Sequence, residues 1–196
     1  LGQRFAEPVL LVKTAWGGKS LAKDFRPPAA GGETGPYYTR MLAEYRAAVA
    51  AIPQRFPQFA AHEAKLQGFV WFQGWNDACD DKAAAEYEAN LVHLIQDLRG
   101  AFADAKLPVV VGETGNHDNR VLRDAQRNGC LHAEVRAGTL FVPTAHFLRA
   151  PAASPNTTHG HHWFGNGESY LRIGDALGRA VADLVETIHG MQPLLS

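Results

Sequence analysis

The stretch GFVWFQGWND (residues 68–77) decides the fold class of this chain. Its first six residues, Gly68–Gln73, form an apolar run as long as one buried strand, and a glycine and polar residues follow directly. The next apolar run, Leu107–Val111, is separated from it by Lys82–Phe102, whose apolar residues recur at helical spacing. Two apolar strands joined by a helix predict a parallel sheet covered by helices on both faces.

Further elements on both sides continue this alternation. The short apolar run Pro8–Ala15 ends at a pair of glycines, and we expect it to be a buried strand. A helix is expected over Tyr37–Ile52, directly after Pro36. The remaining expected elements are a helix over Arg120–Val135, a strand over Thr139–Val142, a loop over Pro143–Gly167 and a helix over Glu168–Ile188. The sequence therefore predicts a single α/β domain over residues 1–196.

Composition excludes several classes of protein. The 196 residues carry 19 basic and 20 acidic side chains, so the chain has no strong charge that would attract nucleic acid or a membrane surface. No apolar run approaches the roughly 18 residues that a membrane helix needs. We therefore expect neither nucleic acid nor a membrane as a partner. Cys79 and Cys130 are too few for a disulfide framework or a cysteine-rich zinc site, and form either one bridge or two free thiols.

Polar and glycine-rich residues are concentrated where the predicted strands end. They occur in WGGKS (16–20), QGWND (73–77), GETGNHD (112–118) and the loop that contains HGHHW (159–163). Functional loops of a parallel α/β sheet lie at the carboxyl ends of its strands. We therefore expect these four segments to form one site.

Two of these segments contain groups that can donate hydrogen bonds to a substrate. Gln73 ends a strand, and its amide either donates to a developing oxyanion or only ties a loop together. Gly17 and Gly18 either let backbone N–H groups approach a substrate closely or form a plain turn. A phosphate loop and a nucleophile elbow are both excluded, because Lys13 and Ala22 replace the glycines that these motifs require.

Three histidines, His159, His161 and His162, precede the last helix. A metal site is one interpretation, but the usual acidic or thiol companions at fixed spacing are missing, so we expect no metal. We expect instead that one of these histidines, placed directly before a helix, acts as a general base. His117 and His146 either belong to the same pocket or lie in solvated loops.

Taken together, these blocks resemble the SGNH-hydrolase superfamily and, within it, the sialate O-acetylesterase-like group, carbohydrate esterase family six. The blocks are VKTAWGGKSL (12–21), VWFQGWND (70–77), PVVVGETG (108–115) and HHWFGNGESYLRIGDALG (161–178). The resemblance spans nearly the whole chain. It implies a three-layer α/β/α sandwich with a mostly parallel sheet, flavodoxin-like in type. It also implies a carboxylic-ester hydrolase that acts on acetylated carbohydrate without a cofactor, and it favours a secreted or periplasmic location.

The resemblance also assigns roles to individual residues. Gly18, or as a second choice Gly17, matches the glycine that supplies an oxyanion N–H, and Gln73 matches the amide of the QG block. His162 matches the catalytic base of the family. The family pattern is a histidine, an aromatic residue, any residue and a glycine, and here it reads His162-Trp163-Phe164-Gly165. Neighbouring residues are expected to bind substrate, with the indole rings as a stacking wall for a sugar: Trp16, Gly17, Trp75, Asn76 and Trp163.

The sequence departs from the family pattern in three respects. The Gly-Gln-Ser-Asn motif that carries the nucleophile is absent, and none of the four serines (Ser20, Ser154, Ser169, Ser196) replaces it convincingly. We therefore expect the first strand and its serine to lie outside this sequence, and this chain alone to be inactive. Trp75 stands where many relatives have Glu. The usual Asp before the base is replaced by residues such as Asn156, which leaves the partner of His162 open.

Two other functions remain open at this point. A non-catalytic carbohydrate-binding or accessory domain can use the same scaffold without a nucleophile. A metal-dependent hydrolase that uses the three clustered histidines is a weaker third hypothesis.

Overall fold

A three-stranded parallel sheet forms the centre of the protein. The computed structural model describes residues 1–115 and 118–190. The strands are β1 (Phe69–Trp71), β2 (Val109–Gly112) and β3 (Thr139–Val142), in the spatial order β1-β2-β3. Phe69 pairs with Val109, and Val110 pairs with Leu140, with all neighbours parallel. The α/β class and the parallel sheet are confirmed.

Six helices surround the sheet in the described residues. They are α1 (Pro36–Ala50), α2 (Ile52–Arg55), α3 (Trp75–Ala78), α4 (Asp81–Ala101), α5 (Arg120–Leu131) and α6 (Gly167–His189). Short 3-10 turns lie at Pro28–Ala30, Pro57–Phe59, Ala145–Phe147, Pro151–Ala153 and Gly160–Gly165. Side-chain caps fix three helix starts, because Asp80 accepts from the Ala83 N–H, Asn119 from the Leu122 N–H and Asn166 from the Ser169 N–H. The four long predicted helices are confirmed, although α5 ends at Leu131, earlier than predicted.

The helices cover both faces of the sheet. Val109 and Val111 of β2 point into a core that contains buried residues of α1, α4 and α5. Val110 points to the opposite face, where it packs with α6. Alternate side chains of a strand lie on opposite faces, so fully apolar β2 is buried on both. The three-layer α/β/α sandwich is therefore confirmed.

The prediction of a buried strand over Pro8–Ala15 is wrong. This segment belongs to no strand, and the side chain of Leu11 is 76% exposed. Within the described residues, no backbone–backbone hydrogen bond involves residues 6–19. An apolar groove of about 530 Å³ is lined on one side by residues 10–16 and on the other by β1. The segment is not a strand because its backbone has no neighbour to pair with.

Two further findings bear on the expectations from the sequence. Cys79 is an exposed free thiol and Cys130 is a buried one. In the part of the chain that the structure describes, no helix combines the length and the apolar character needed to cross a membrane.

Candidate active site

The loops that follow the strands meet at the carboxyl edge of the sheet. The Nε2 of Gln73, which follows β1, donates to the Lys19 carbonyl at 2.9 Å, and the Thr114 hydroxyl donates to the Gln73 carbonyl at 2.7 Å. The ring centroids of Trp75 and His161 lie 5.4 Å apart. The structure therefore brings together the WGGKS turn, the QGWND turn, the described part of GETGNHD and the histidine loop. His117 lies outside the described residues.

Gln73 is held by its backbone as well as by its side chain. Its carbonyl accepts three side-chain hydrogen bonds, from the Tyr87 hydroxyl, the Thr114 hydroxyl and the Gln126 amide. Its Nε2 donates to the Lys19 carbonyl and, at 2.7 Å, to Asp77 Oδ2. An amide nitrogen carries two hydrogens, and both have protein acceptors here. This arrangement favours an amide that ties two loops together, and the direct oxyanion role of Gln73 stays a prediction.

Asp77 is a residue of this site to which the sequence assigned no role. It is fully buried in α3, and its carboxylate accepts from the Leu21 N–H and the Ala22 N–H, each at 2.9 Å, besides Gln73. Burial raises the pKa of the Asp77 carboxyl, although these hydrogen bonds favour the charged form. No local pattern signals this role, because two of the three donors to Asp77 lie more than fifty residues earlier in the sequence.

The glycine turn of WGGKS is open to solvent. Gly18 has a φ of +70°, in the left-handed region that favours glycine, and a Cβ added there would meet no atom within 4 Å. A Cβ added at the exposed Gly17 would also meet nothing within 4 Å. The space beside this turn is therefore free for a substrate.

The chain makes a strained turn directly after His162. Trp163 and Phe164 have φ values of +52° and +53°, which are uncommon for large side chains and cost free energy. The carbonyl of His162 accepts a hydrogen bond from the Tyr170 hydroxyl of α6 at 3.0 Å, and its N–H donates to the His159 carbonyl. These contacts fix the backbone of an exposed histidine at the edge of the sheet.

The three histidine rings lie in a row, and their partners differ. The centroid of His161 is 4.2 Å from that of His162 and 5.3 Å from that of His159. His159 Nδ1 lies 2.8 Å from Asn156 Oδ1, whereas no described residue forms a side-chain hydrogen bond to the His162 ring. The pKa of His161 is lowered chiefly by desolvation and, to a smaller extent, by the charges of His162 and His159. Among the described residues, no group of three or more His, Cys, Asp or Glu side chains could hold a metal ion.

The three tryptophans predicted to stack on a sugar have different environments. Trp163 is only 2% exposed and packs in the core beneath α6, so its ring faces are covered and stacking does not fit this structure. Trp16 is half-buried against Phe25 and Tyr37. Trp75 is half-buried beside His161, at the edge where the loops meet, and Asn76 next to it is exposed. Trp75 is therefore the ring best placed to contact a sugar.

We expect the two tryptophans that flank the histidines to respond differently to truncation. Trp163→Ala removes a buried indole and should lower the free energy of unfolding by about 3–5 kcal/mol. Trp75→Ala should lower it by about 1 kcal/mol or less, because the ring is only partly covered. Urea unfolding of the two variants measures the difference. Equal losses would contradict the assignment of Trp163 to packing and of Trp75 to the site.

The described serines are all engaged in local hydrogen bonds. Ser20 Oγ donates to Asp24, Ser154 Oγ donates to the Ala150 carbonyl, and the buried Ser169 Oγ donates to the Phe147 carbonyl. Ser196 lies outside the described residues. None of the three described hydroxyls has the hydrogen bond to a histidine ring that marks an activated nucleophile.

Comparisons with known proteins agree with the fold and identify a family. The family model described as carbohydrate esterase, sialic acid-specific acetylesterase, matches residues 2–182. The X-ray structure of a protein from Arabidopsis thaliana superimposes with a TM-score of 0.57 at 18% sequence identity, over 85% of this chain. The match covers 58% of the Arabidopsis chain, so this chain spans less than two thirds of its length. No curated protein matches.

Proposed function

The chain belongs to the sialic acid-specific acetylesterase family of carbohydrate esterases, and from this premise we propose that it forms the catalytic edge of an enzyme that removes acetyl groups from carbohydrate. The substrate of the proposed enzyme is an acetylated sugar. The reaction is ester hydrolysis by a serine nucleophile with a histidine base.

Given the family to which the chain belongs, one structural observation supports this proposal most directly. An open glycine turn, a row of histidines and an indole ring meet at one edge of the sheet, joined by the Gln73–Lys19 bond and the Trp75–His161 contact. Acyl transfer needs a base next to N–H groups that face the developing oxyanion. The exposed His162 and the Gly18 N–H are our candidates for these two roles.

We propose that the nucleophile belongs to a further strand that lies in the apolar groove beside β1. The described serines are engaged elsewhere, as shown above. The groove is lined by β1, by residues 10–16 and by apolar side chains of α1 and α4, and it extends to Trp16 and Gln73 at the catalytic edge. On the side away from β2, β1 has no strand partner among the described residues. A parallel strand placed there would end, like β1, at that edge.

The proposed mechanism assigns one step to each group. The serine hydroxyl attacks the acetyl carbonyl carbon while His162 takes its proton, and the Gly18 N–H stabilises the oxyanion that forms. The bond from the carbonyl carbon to the sugar oxygen then breaks, and His162 returns the proton to that oxygen. Water attacks the acetyl-enzyme in the same way, which releases acetate and restores the serine hydroxyl.

The test of this function measures acetate release from O-acetylated sialic acid by a version of the protein continued upstream of Leu1. We expect kcat/KM for the acetyl ester to exceed that for the matching butyryl ester by about tenfold or more, as an enzyme selective for acetyl groups would show. Binding of the sugar without hydrolysis of either ester would overturn the proposal and support a carbohydrate-binding domain.

A further inference from the structure

Asp77 is a buried carboxylate whose hydrogen bonds join two separate loops. Oδ1 accepts from the Ala22 N–H, and Oδ2 accepts from both the Leu21 N–H and Gln73 Nε2. No cation forms an ion pair with it in the described part of the chain. Burying a charge without a cation is costly unless hydrogen bonds compensate it, so a carboxylate at this position needs all three donors.

These bonds connect the glycine turn to a rigid part of the sheet. The carbonyl of Gln73 accepts from three side chains, so the end of β1 is held firmly. Asp77 reaches from α3 to Leu21 and Ala22, and Gln73 reaches to the carbonyl of Lys19. Four hydrogen bonds therefore link Asp77, Gln73 and residues 19–22 in one network, which we call the Asp77 clamp.

Besides the Asp77 clamp, the glycine turn contacts α1, where Trp16 packs against Tyr37 and the Lys19 ammonium lies 4.4 Å from the centroid of the Tyr37 ring. No backbone–backbone hydrogen bond within the described residues involves residues 6–19. Asp24 accepts from the Ser20 N–H and pairs with the Lys19 ammonium at 3.2 Å, but Asp24 belongs to the same loop. The Asp24 contacts therefore shape the loop locally, whereas the Asp77 clamp fixes its position relative to the sheet.

We propose that Asp77 is a positioning residue that, through the Asp77 clamp, sets the Gly18 N–H at the catalytic edge. The proposal rests on the function proposed above, because it assigns Asp77 a role in that reaction. The chemistry of the site explains why the residue is an acid. Three donors converge on two oxygens, and an asparagine would offer one oxygen and turn its own N–H₂ toward a backbone N–H.

The test compares Asp77→Asn with Arg99→Met in the 196-residue chain. Arg99 is also a buried charged residue, but it donates to the Leu107, Val135 and Ala137 carbonyls at the amino-terminal end of the sheet. Both changes should lower the melting temperature. Only Asp77→Asn should accelerate amide hydrogen exchange at Leu21 and Ala22, whose N–H groups donate to Asp77, by about tenfold or more. Unchanged exchange there, or equal acceleration in Arg99→Met, would overturn the proposal.

A second variant keeps the test valid if Asp77→Asn does not fold. Gln73→Met removes the bonds to the Lys19 carbonyl and to Asp77 Oδ2 but leaves Asp77 with Leu21 and Ala22, so we expect a smaller acceleration at these two amides than in Asp77→Asn. An acceleration at Leu21 and Ala22 as large as that in Asp77→Asn would contradict the direct attachment of these residues to Asp77.

Turnover separates the positioning role from the proposed function. In the upstream-extended protein, Asp77→Asn should lower kcat by about tenfold to a hundredfold with little change in KM, because a displaced donor weakens only the transition state. An unchanged kcat in an active enzyme would overturn the positioning role and leave the esterase function standing. Absence of turnover in the parent protein would count against the function, and the exchange result would still decide the clamp.

Discussion

Replacement of His162 by alanine is expected to lower kcat for acetyl-ester hydrolysis by about four orders of magnitude, the upper end of what general acid–base catalysis contributes. The melting temperature should stay within about 4 °C, because the ring is exposed and no described residue forms a side-chain hydrogen bond to it. Steady-state kinetics of the upstream-extended protein, with a thermal melt of each variant, measure both effects.

Two other histidines make this experiment specific. His146→Ala is the matched control, because His146 is also exposed but lies against Phe147, outside the row of three rings. It should leave kcat unchanged. His159→Ala tests the competing candidate, since His159 Nδ1 has the oriented partner that a base commonly needs. Full activity of His162→Ala together with loss of activity in His159→Ala would move the role of base to His159.

The second large effect is expected at Gly18. Gly18→Ala should lower kcat by about two orders of magnitude, the usual loss for one oxyanion donor. The new methyl group lies in the open space beside the turn, and alanine resists the φ of +70° that this turn adopts. Kinetics of the upstream-extended variant measure the loss.

Gly31 provides a closely matched control for this change. It also has a φ of +70° and open space around an added Cβ, but it lies in the loop before α1, where its carbonyl accepts from Arg26. Gly31→Ala should cost a similar amount of stability, about 1 kcal/mol, and leave kcat unchanged. Equal kcat values in the two variants would contradict the oxyanion role of Gly18.

The sheet and the long helices were predictable because their signals are local. Val109–Val111 is apolar without interruption, as expected of a strand covered on both faces, and Leu91, Ile95 and Leu98 recur along the buried face of α4. Functional loops of a parallel sheet lie at the carboxyl ends of its strands, and this rule predicted that the loops would meet. The Gln73–Lys19 bond and the Trp75–His161 contact agree with that prediction.

The features that the sequence did not predict correctly have one property in common. Each of them depends on contacts between distant parts of the chain. Pro8–Ala15 has the composition of a strand, but a strand also needs a paired neighbour, which composition does not reveal. The burial of Trp163 depends on how α6 packs against the sheet. The role of Asp77 likewise depends on Leu21 and Ala22, more than fifty residues earlier in the sequence.

The measurement that tests the central claim most directly is hydrolysis of p-nitrophenyl acetate by the 196-residue chain, side by side with the version continued upstream of Leu1. We predict turnover by the extended protein alone, with a serine from the added segment acetylated and the base supplied by His162. Equal turnover by both proteins would place the nucleophile within residues 1–196 and contradict the added strand. Absence of turnover in both would contradict the esterase function itself.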